Sequence, residues 1–250
     1  IFYLAANLAK PQIDVKNFVD GLLPQLVLIG AIALAVILEP DMGTAIIISA
    51  VGFFMLFLHG AKLQHLFALV STAGLAGIAL LLRVDYQRER VESFLASVFG
   101  AAEPGWQVKQ SLIGLGDGGL LGMGLGKSKQ KLLFLPDPHT DFILSIIGEE
   151  MGLIGTLGVL LLFFIILWRG FRIAQAAPDQ GGRLAAFGIT LAIGLSAFVN
   201  IAVVTNLLPT TGIPLPFVSY GGSSLIVHLA AIGVLLNISQ SVQLKKANGV

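Results

Sequence analysis

The run Pro136-Asp137-Pro138-His139-Thr140-Asp141-Phe142 sets a carboxylate directly before a long apolar stretch. Two prolines stop any helix upstream, so Thr140 or Asp141 can cap the helix that follows by accepting one of its free N–H groups. A second chemistry fits Asp141 as well. A half-desolvated carboxylate at a water–lipid boundary can act as a general base. His139 alone reads as a hydrogen-bonding residue. About two turns later, Glu149 and Glu150 lie inside the apolar stretch. Carboxylates there are costly, and both readings stand: ion pairing with a loop Arg, or function. The third acidic group is Glu39-Pro40-Asp41-Met42-Gly43-Thr44. It reads as a tight turn in which Asp41 caps the next helix, with Arg83, Arg88 or Arg90 as candidate partners for its charge.

Two further segments combine small and polar residues. Gly114-Leu115-Gly116-Asp117-Gly118-Gly119 matches G-x-G-x-x-G, but no βαβ unit surrounds it, so a dinucleotide site is excluded. A backbone nest for phosphate, helped by Lys127, Lys129 and Lys131, remains open beside a plain hinge with a solvated basic run. Towards the C-terminus come Asn200, Asn206, Pro209, Gly212, Pro214 and Pro216, then Ser219-Tyr220-Gly221-Gly222-Ser223-Ser224. Buried Asn can bond across helices, and Gly and Pro allow a non-helical dip where it lines a cavity. Gly148, Gly152 and Gly155 share one helical face, as close helix packing requires. No metal cage, Ser-His-Asp triad or nucleotide loop is apparent.

The elements that must carry these residues follow from composition. Of 250 residues, 56% are hydrophobic and 12% charged, and mean hydropathy is +0.89. Soluble domains carry roughly 25% charged residues, so a soluble globule is excluded, and so is disorder. A net charge of +1 without a basic stripe argues against nucleic acid. The absence of cysteine removes disulfide scaffolds, thiolate zinc sites and Cys nucleophiles. The expected fold is an all-α integral membrane protein. Six stretches can cross a bilayer: 22–38, 42–58, 63–82, 142–168, 184–208 and 221–239. Residues 1–9 look like the tail of another span, and the chain lacks an initiator Met, so it reads as starting inside a longer protein. We expect one membrane domain over 1–250: a polytopic helical bundle of six complete spans and part of another.

Lys and Arg in the short loops set orientation. Lys10, Lys16, Lys62, Arg169, Arg172, Arg183, Lys245 and Lys246 fall on one side, and the opposite short loops hold none. The first side, with both chain ends, is expected to be cytoplasmic. The loop of about 83–141 is then extracytoplasmic, since loops of roughly 60 residues translocate largely regardless of charge. Eleven of the fourteen acids lie on or near that outer face, so chemistry is expected there. Within the loop, 83–99 and part of 114–126 are expected to form short interfacial helices.

Taken in order, these segments resemble the SEDS family (shape, elongation, division and sporulation; FtsW, RodA, SpoVE) over nearly all of the chain. Its C-terminal signature is met by Asn200, Leu208-Pro209, Gly212 and Pro216 to Ser224. Its Pro-Asp-x-Gly-Thr-Ala element is met at Pro40 to Ala45. The large outer loop is met by Arg90, Phe94, Gln107, Gln110, Ser111, the glycines 118, 119, 122, 124 and 126, Ser128, Lys131, Leu135-Pro136, His139 to Ile143, and Gly148-Glu149-Glu150. The Ser-x-x-Lys-x-x-x-Leu-Pro spacing is similar to the FtsW-like branch. Asn206 departs from the signature, which has Gly, Thr or Arg there. Family members have ten spans, which implies spans five to ten here, N-terminally truncated.

The resemblance implies a peptidoglycan glycosyltransferase that polymerises lipid II into β-1,4 glycan with inversion, releasing undecaprenyl pyrophosphate, in cell division or elongation. Asp141 matches the catalytic carboxylate. Arg90, Lys127, Lys129 and Lys131 are candidates to stabilise the pyrophosphate. His139, Thr140, Glu149, Glu150, Ser219 and Tyr220 complete the expected substrate-binding set. Glu39, Pro40, Asp41, Gly43, Thr44, Asn200, Pro209, Gly221 and Gly222 are expected to be structural. No metal ligand is assigned, no cofactor is certain, and a divalent cation is left open. Implied partners are lipid II, undecaprenyl-linked glycan, a class B penicillin-binding protein and other divisome or elongasome proteins, at the bacterial inner membrane. Two other classes compete. A lipid II flippase needs a polar path to the cytoplasmic side, which acids crowded outside disfavour. A non-catalytic scaffold for a transpeptidase would not need Asp141.

Overall fold

The computed structural model describes residues 1–83, 85–131, 135 and 139–247. Pro136, Asp137 and Pro138 lie outside the described residues, as do the side chains of Arg83, Lys245 and Lys246. Every regular element among the described residues is helical, as expected: α1 (Phe2–Leu8), α2 (Leu23–Leu38), α3 (Met42–Leu58), α4 (Leu63–Arg83), α5 (Asp85–Val98), α6 (Trp106–Gly118), α7 (Ile143–Ala176), α8 (Gln180–Val204) and α9 (Gly222–Ala247). A π-turn, Phe18–Leu22, leads into α2. Among the described residues, four stretches are long and apolar enough to cross a membrane: Phe18–Leu38, Ile143–Ala176, Gln180–Val204 and Gly222–Gln243. Met42–Leu58 and Leu63–Leu75 are shorter apolar helices. This is the pattern of a multi-pass membrane protein.

The chain forms two compact units. One comprises Ile1–Gly74, Ile165–Leu195 and Ile226–Val250. Its core gathers Leu4, Leu8, Leu22, Val51, Met55, Leu56, Leu66 and Leu184. α2 packs on α3, joined by the short turn at Glu39-Pro40-Asp41. Asp41 caps α3 as expected, its Oδ1 accepting the Thr44 N–H at 2.9 Å. Small residues let α8 approach its neighbours in this unit: Gly188 leaves room for Met55 of α3, and Gly194 for Leu167 of α7. Gly43 is buried at the start of α3.

The second unit comprises Leu75–Phe164 and Ser196–Leu225, and so carries the 83–141 segment. Its helices are cross-braced by hydroxyls. Ser111 on α6 donates to the Val204 carbonyl at 2.9 Å, and Ser145 on α7 donates to the Ser111 carbonyl at 2.7 Å. α8 ends at Val204, and in the turn just after it Asn206 has a φ of 57°. Its N–H reaches the Val203 carbonyl, and the Leu207 N–H reaches that of Ala202. Asn enters the left-handed region more readily than other non-glycine residues. Its departure from the family signature therefore keeps a helix-terminating conformation.

The main departure from expectation is Gly152. The spacing of Gly148, Gly152 and Gly155 predicts a packing face; Gly152 instead breaks α7, with φ 65° and ψ −163°, a region essentially confined to glycine. The backbone groups freed by the break are taken up by the glycine-rich segment after α6. Leu153 and Ile154 donate to the carbonyls of Gly119 and Leu120, while Met123 and Gly124 donate to those of Glu149 and Glu150. A break in an apolar helix is tolerated only when its polar groups are satisfied this way.

Candidate active site

All the residues described next belong to the second unit. Residues 139–141 form turns ahead of α7. Their three successive carbonyls are each bonded by a different donor. The His139 carbonyl accepts the Tyr220 N–H at 2.8 Å. The Thr140 carbonyl accepts the Ser219 hydroxyl, which in turn accepts the Leu215 N–H at 2.7 Å. The Asp141 carbonyl accepts the Asn200 side-chain amide at 2.8 Å, and the same nitrogen donates to the Ile213 carbonyl at 2.8 Å. Asn200 is buried on α8. Gly212, with φ 75°, brings the 209–216 segment beside the carboxylate: a Cβ there would lie 3.7 Å from Asp141 Oδ2. Phe217 sits at φ 65°, a strained value for an aromatic residue. It turns the chain so that Ser219 and Tyr220 face residues 139 and 140. Asp141 is thus placed through its main chain by two sequence motifs some 60 residues or more downstream. Tyr220 is 81% exposed, and Gly222, just after Gly221, opens α9.

The basic segment is held in the opposite sense. Glu149 is fully buried. Its carboxylate accepts the Ser128 hydroxyl, the Lys129 N–H at 2.9 Å and the Gln130 N–H at 3.3 Å. Glu150 pairs with the Lys131 ammonium at 2.6 Å. Of the two readings open for these acids, the contacts supply the pairing, with Lys131 and backbone N–H groups in place of a loop Arg. Lys127 and Lys129 are exposed. The phosphate-nest reading of 114–119 is overturned. Gly114 and Gly116 lie within α6, and the N–H groups of Gly119, Gly122, Met123 and Gly124 all donate to backbone carbonyls.

Arg90 and Pro209 meet in a cavity of about 340 Å³ lined also by Glu89, Trp106, Gln107 and Asn206. Arg90 donates to the Thr210 carbonyl at 3.1 Å, and Arg88 pairs with Glu92. Glu39, Pro40, Asp41, Gly43 and Thr44 belong to the other unit. Sequence reasoning missed the Trp106 cavity and the role of Glu149 as an internal ligand for the basic segment. Glu149 standing about 20 residues from three lysines was the available signal. Among the described residues, no three His, Asp or Glu side chains gather as metal ligands.

With this geometry, comparison with known proteins is informative. The family model of the FtsW, RodA and SpoVE cell cycle proteins matches residues 1–244. A probable peptidoglycan glycosyltransferase FtsW of Geobacter sp. (strain M18) is 46% identical over 240 residues, covering 96% of this chain and 65% of that protein. Stage V sporulation protein E of Bacillus subtilis is 44% identical over 241 residues, covering 96% and 66%. A solved chain from work on the structural coordination of polymerization and crosslinking by a peptidoglycan synthase complex aligns with TM-score 0.74 at 29% identity, covering 95% and 66%. An Asp→Ala mutant of the rod shape determining protein RodA of Thermus thermophilus aligns with TM-score 0.62 at 29% identity, covering 93% and 60%. The chain spans about two thirds of the length of the curated relatives it matches. It belongs to the FtsW/RodA/SpoVE family, on the FtsW-like branch.

Proposed function

We propose that this chain is the catalytic portion of a peptidoglycan glycosyltransferase that polymerises lipid II. The observation that carries the reading is the fixed main chain of Asp141: three consecutive carbonyls held by Tyr220, Ser219 and Asn200. Such anchoring fixes the peptide unit that carries the carboxylate, as a positioned general base requires. The names of the FtsW relatives support the same chemistry.

In this reading the Asp141 carboxylate takes the proton from the acceptor sugar's 4-hydroxyl. That oxygen forms the new bond to the donor's anomeric carbon from the face opposite the leaving group, giving inversion. The bond from that carbon to the pyrophosphate oxygen breaks, and undecaprenyl pyrophosphate leaves with the electron pair. Lys127 and Lys129 are the exposed cations available to the departing charge. Lys131 is already paired with Glu150 and contributes less. The six-span count and the extracytoplasmic placement of 83–141 belong to the same proposal. So do the inner membrane and a class B penicillin-binding protein as partner, which the synthase-complex neighbour supports.

The test is lipid II polymerisation by the full-length protein with its transpeptidase partner, wild type against Asp141→Ala. Glycan from wild type and none from a folded mutant is the expected result. Glycan from both removes Asp141 as the base, and glycan from neither removes the enzyme.

A further inference from the structure

The Trp106 cavity is not used by the chemistry above, and its lining describes a ligand. Its volume of about 340 Å³ falls near the lower end of the roughly 300–1,000 Å³ of small-molecule sites. Trp106 is 60% exposed, offering a broad indole surface at its mouth. Gln107 and Glu89 supply an amide and a carboxylate beside it, and the Asn206 amide, bonded to Ser97 at 3.2 Å, supplies another dipole. Arg90 is engaged with the Thr210 carbonyl. The left-handed turn at Asn206 and the dip at Pro209 form one wall. That wall continues through Thr210 to Gly212, beside the Asp141 carboxylate.

Two kinds of ligand could occupy a polar cavity whose wall leads on to Gly212. A diphosphate would meet Glu89, a like charge, and would find Arg90, the one cation among the described lining residues, already bonded to the protein. A pyranose presents an apolar face and a rim of hydroxyl and acetamido groups. The face suits an exposed indole, and the rim suits side-chain amides and a carboxylate, which accept and donate in fixed directions.

We propose that the Trp106–Gln107–Asn206 cavity is a saccharide subsite that binds an N-acetylated hexosamine unit of the glycan. Trp106 stacks on the sugar face, and Gln107 and Glu89 bond its polar rim. The proposal rests on the glycosyltransferase reading for its biological ligand, but it is tested by binding alone.

The chain has two tryptophans, so Trp168→Phe in the full-length protein leaves Trp106 as a reporter within these residues. The probe is N,N′-diacetylchitobiose, a lipid-free β-1,4 disaccharide, with inorganic pyrophosphate as the competing chemistry. A saturable change in Trp106 emission is expected with the disaccharide and none with pyrophosphate, and Asp141→Asn should leave it intact. Trp106→Leu should raise the KM for lipid II about fivefold to tenfold with kcat nearly unchanged. A Trp106 response to pyrophosphate instead, or no response from a protein that still polymerises lipid II, overturns the subsite and leaves the glycosyltransferase standing. A saccharide response from a wild-type protein that makes no glycan leaves the subsite and removes the enzyme.

Discussion

Residues 139–141 lead into α7 and residues 128–131 are tied to its N-terminal part; both are irregular segments, yet the groups that hold them run in opposite directions. At 139–141 the backbone carbonyls accept, and the donors are a backbone N–H, a serine hydroxyl and an asparagine amide. At 128–131 the segment donates through two backbone N–H groups, a hydroxyl and an ammonium, and the carboxylates of Glu149 and Glu150 accept. The difference separates two uses of an acid near an apolar helix. Glu149 and Glu150 bond the 128–131 segment through their carboxylates. Asp141 is held through its peptide unit, which orients the side chain while leaving its chemistry to be set by what it faces.

That contrast can be broken in order of size. Gly152→Ala is the most disruptive change: a Cβ would overlap Gly122 N and Leu120 O, and the φ/ψ pair is closed to L-residues. We expect a loss of about 3 kcal/mol or more, read as failure to express or a collapsed thermal midpoint. Glu149→Gln should cost about 2–3 kcal/mol, because a buried charge-assisted acceptor of three bonds becomes an amide with one oxygen. Limited trypsin digestion should then cut at Lys127 and Lys129 faster than in wild type. Asn200→Ala orphans the carbonyls of Asp141 and Ile213 and should cost about 1–3 kcal/mol. It should also lower kcat about tenfold, because Asp141 loses its main-chain anchor. Asn206→Gly is the mildest, costing about 0.5–1 kcal/mol, since glycine accepts the same left-handed turn and only the bond to Ser97 is lost, whereas Asn206→Val should be clearly worse. Thermal unfolding in detergent distinguishes the two.

Much of the architecture was legible in the sequence, because hydrophobic length and helix caps are local properties. The 42–58 stretch became α3 with the expected Asp41 cap, and the amphipathic 83–99 piece became α5. The family motifs pointed to Asp141. The break in α7 was not legible. A glycine in an apolar run looks the same whether it admits a neighbouring helix or takes a positive φ, and only the Gly119–Gly124 segment lying against it decides. The joining of residues 139–141 to Ser219 and Tyr220 was equally hidden, since two motifs about 80 residues apart reveal no hydrogen bond until the chain folds. The glycine-rich 114–119 run misled for the opposite reason: its pattern fits a phosphate nest, but all of it up to Gly118 is ordinary helix.

The most direct test measures polymerisation rate and thermal midpoint side by side for Asp141→Asn and Glu149→Gln in the full-length protein with its partner. The account predicts that Asp141→Asn loses about 10²–10⁴ in rate with an unchanged midpoint. Glu149→Gln should lower the midpoint while its folded fraction polymerises within about tenfold of wild type. The reverse pattern, a stable but inactive Glu149→Gln and an active Asp141→Asn, would contradict the assignment of both acids.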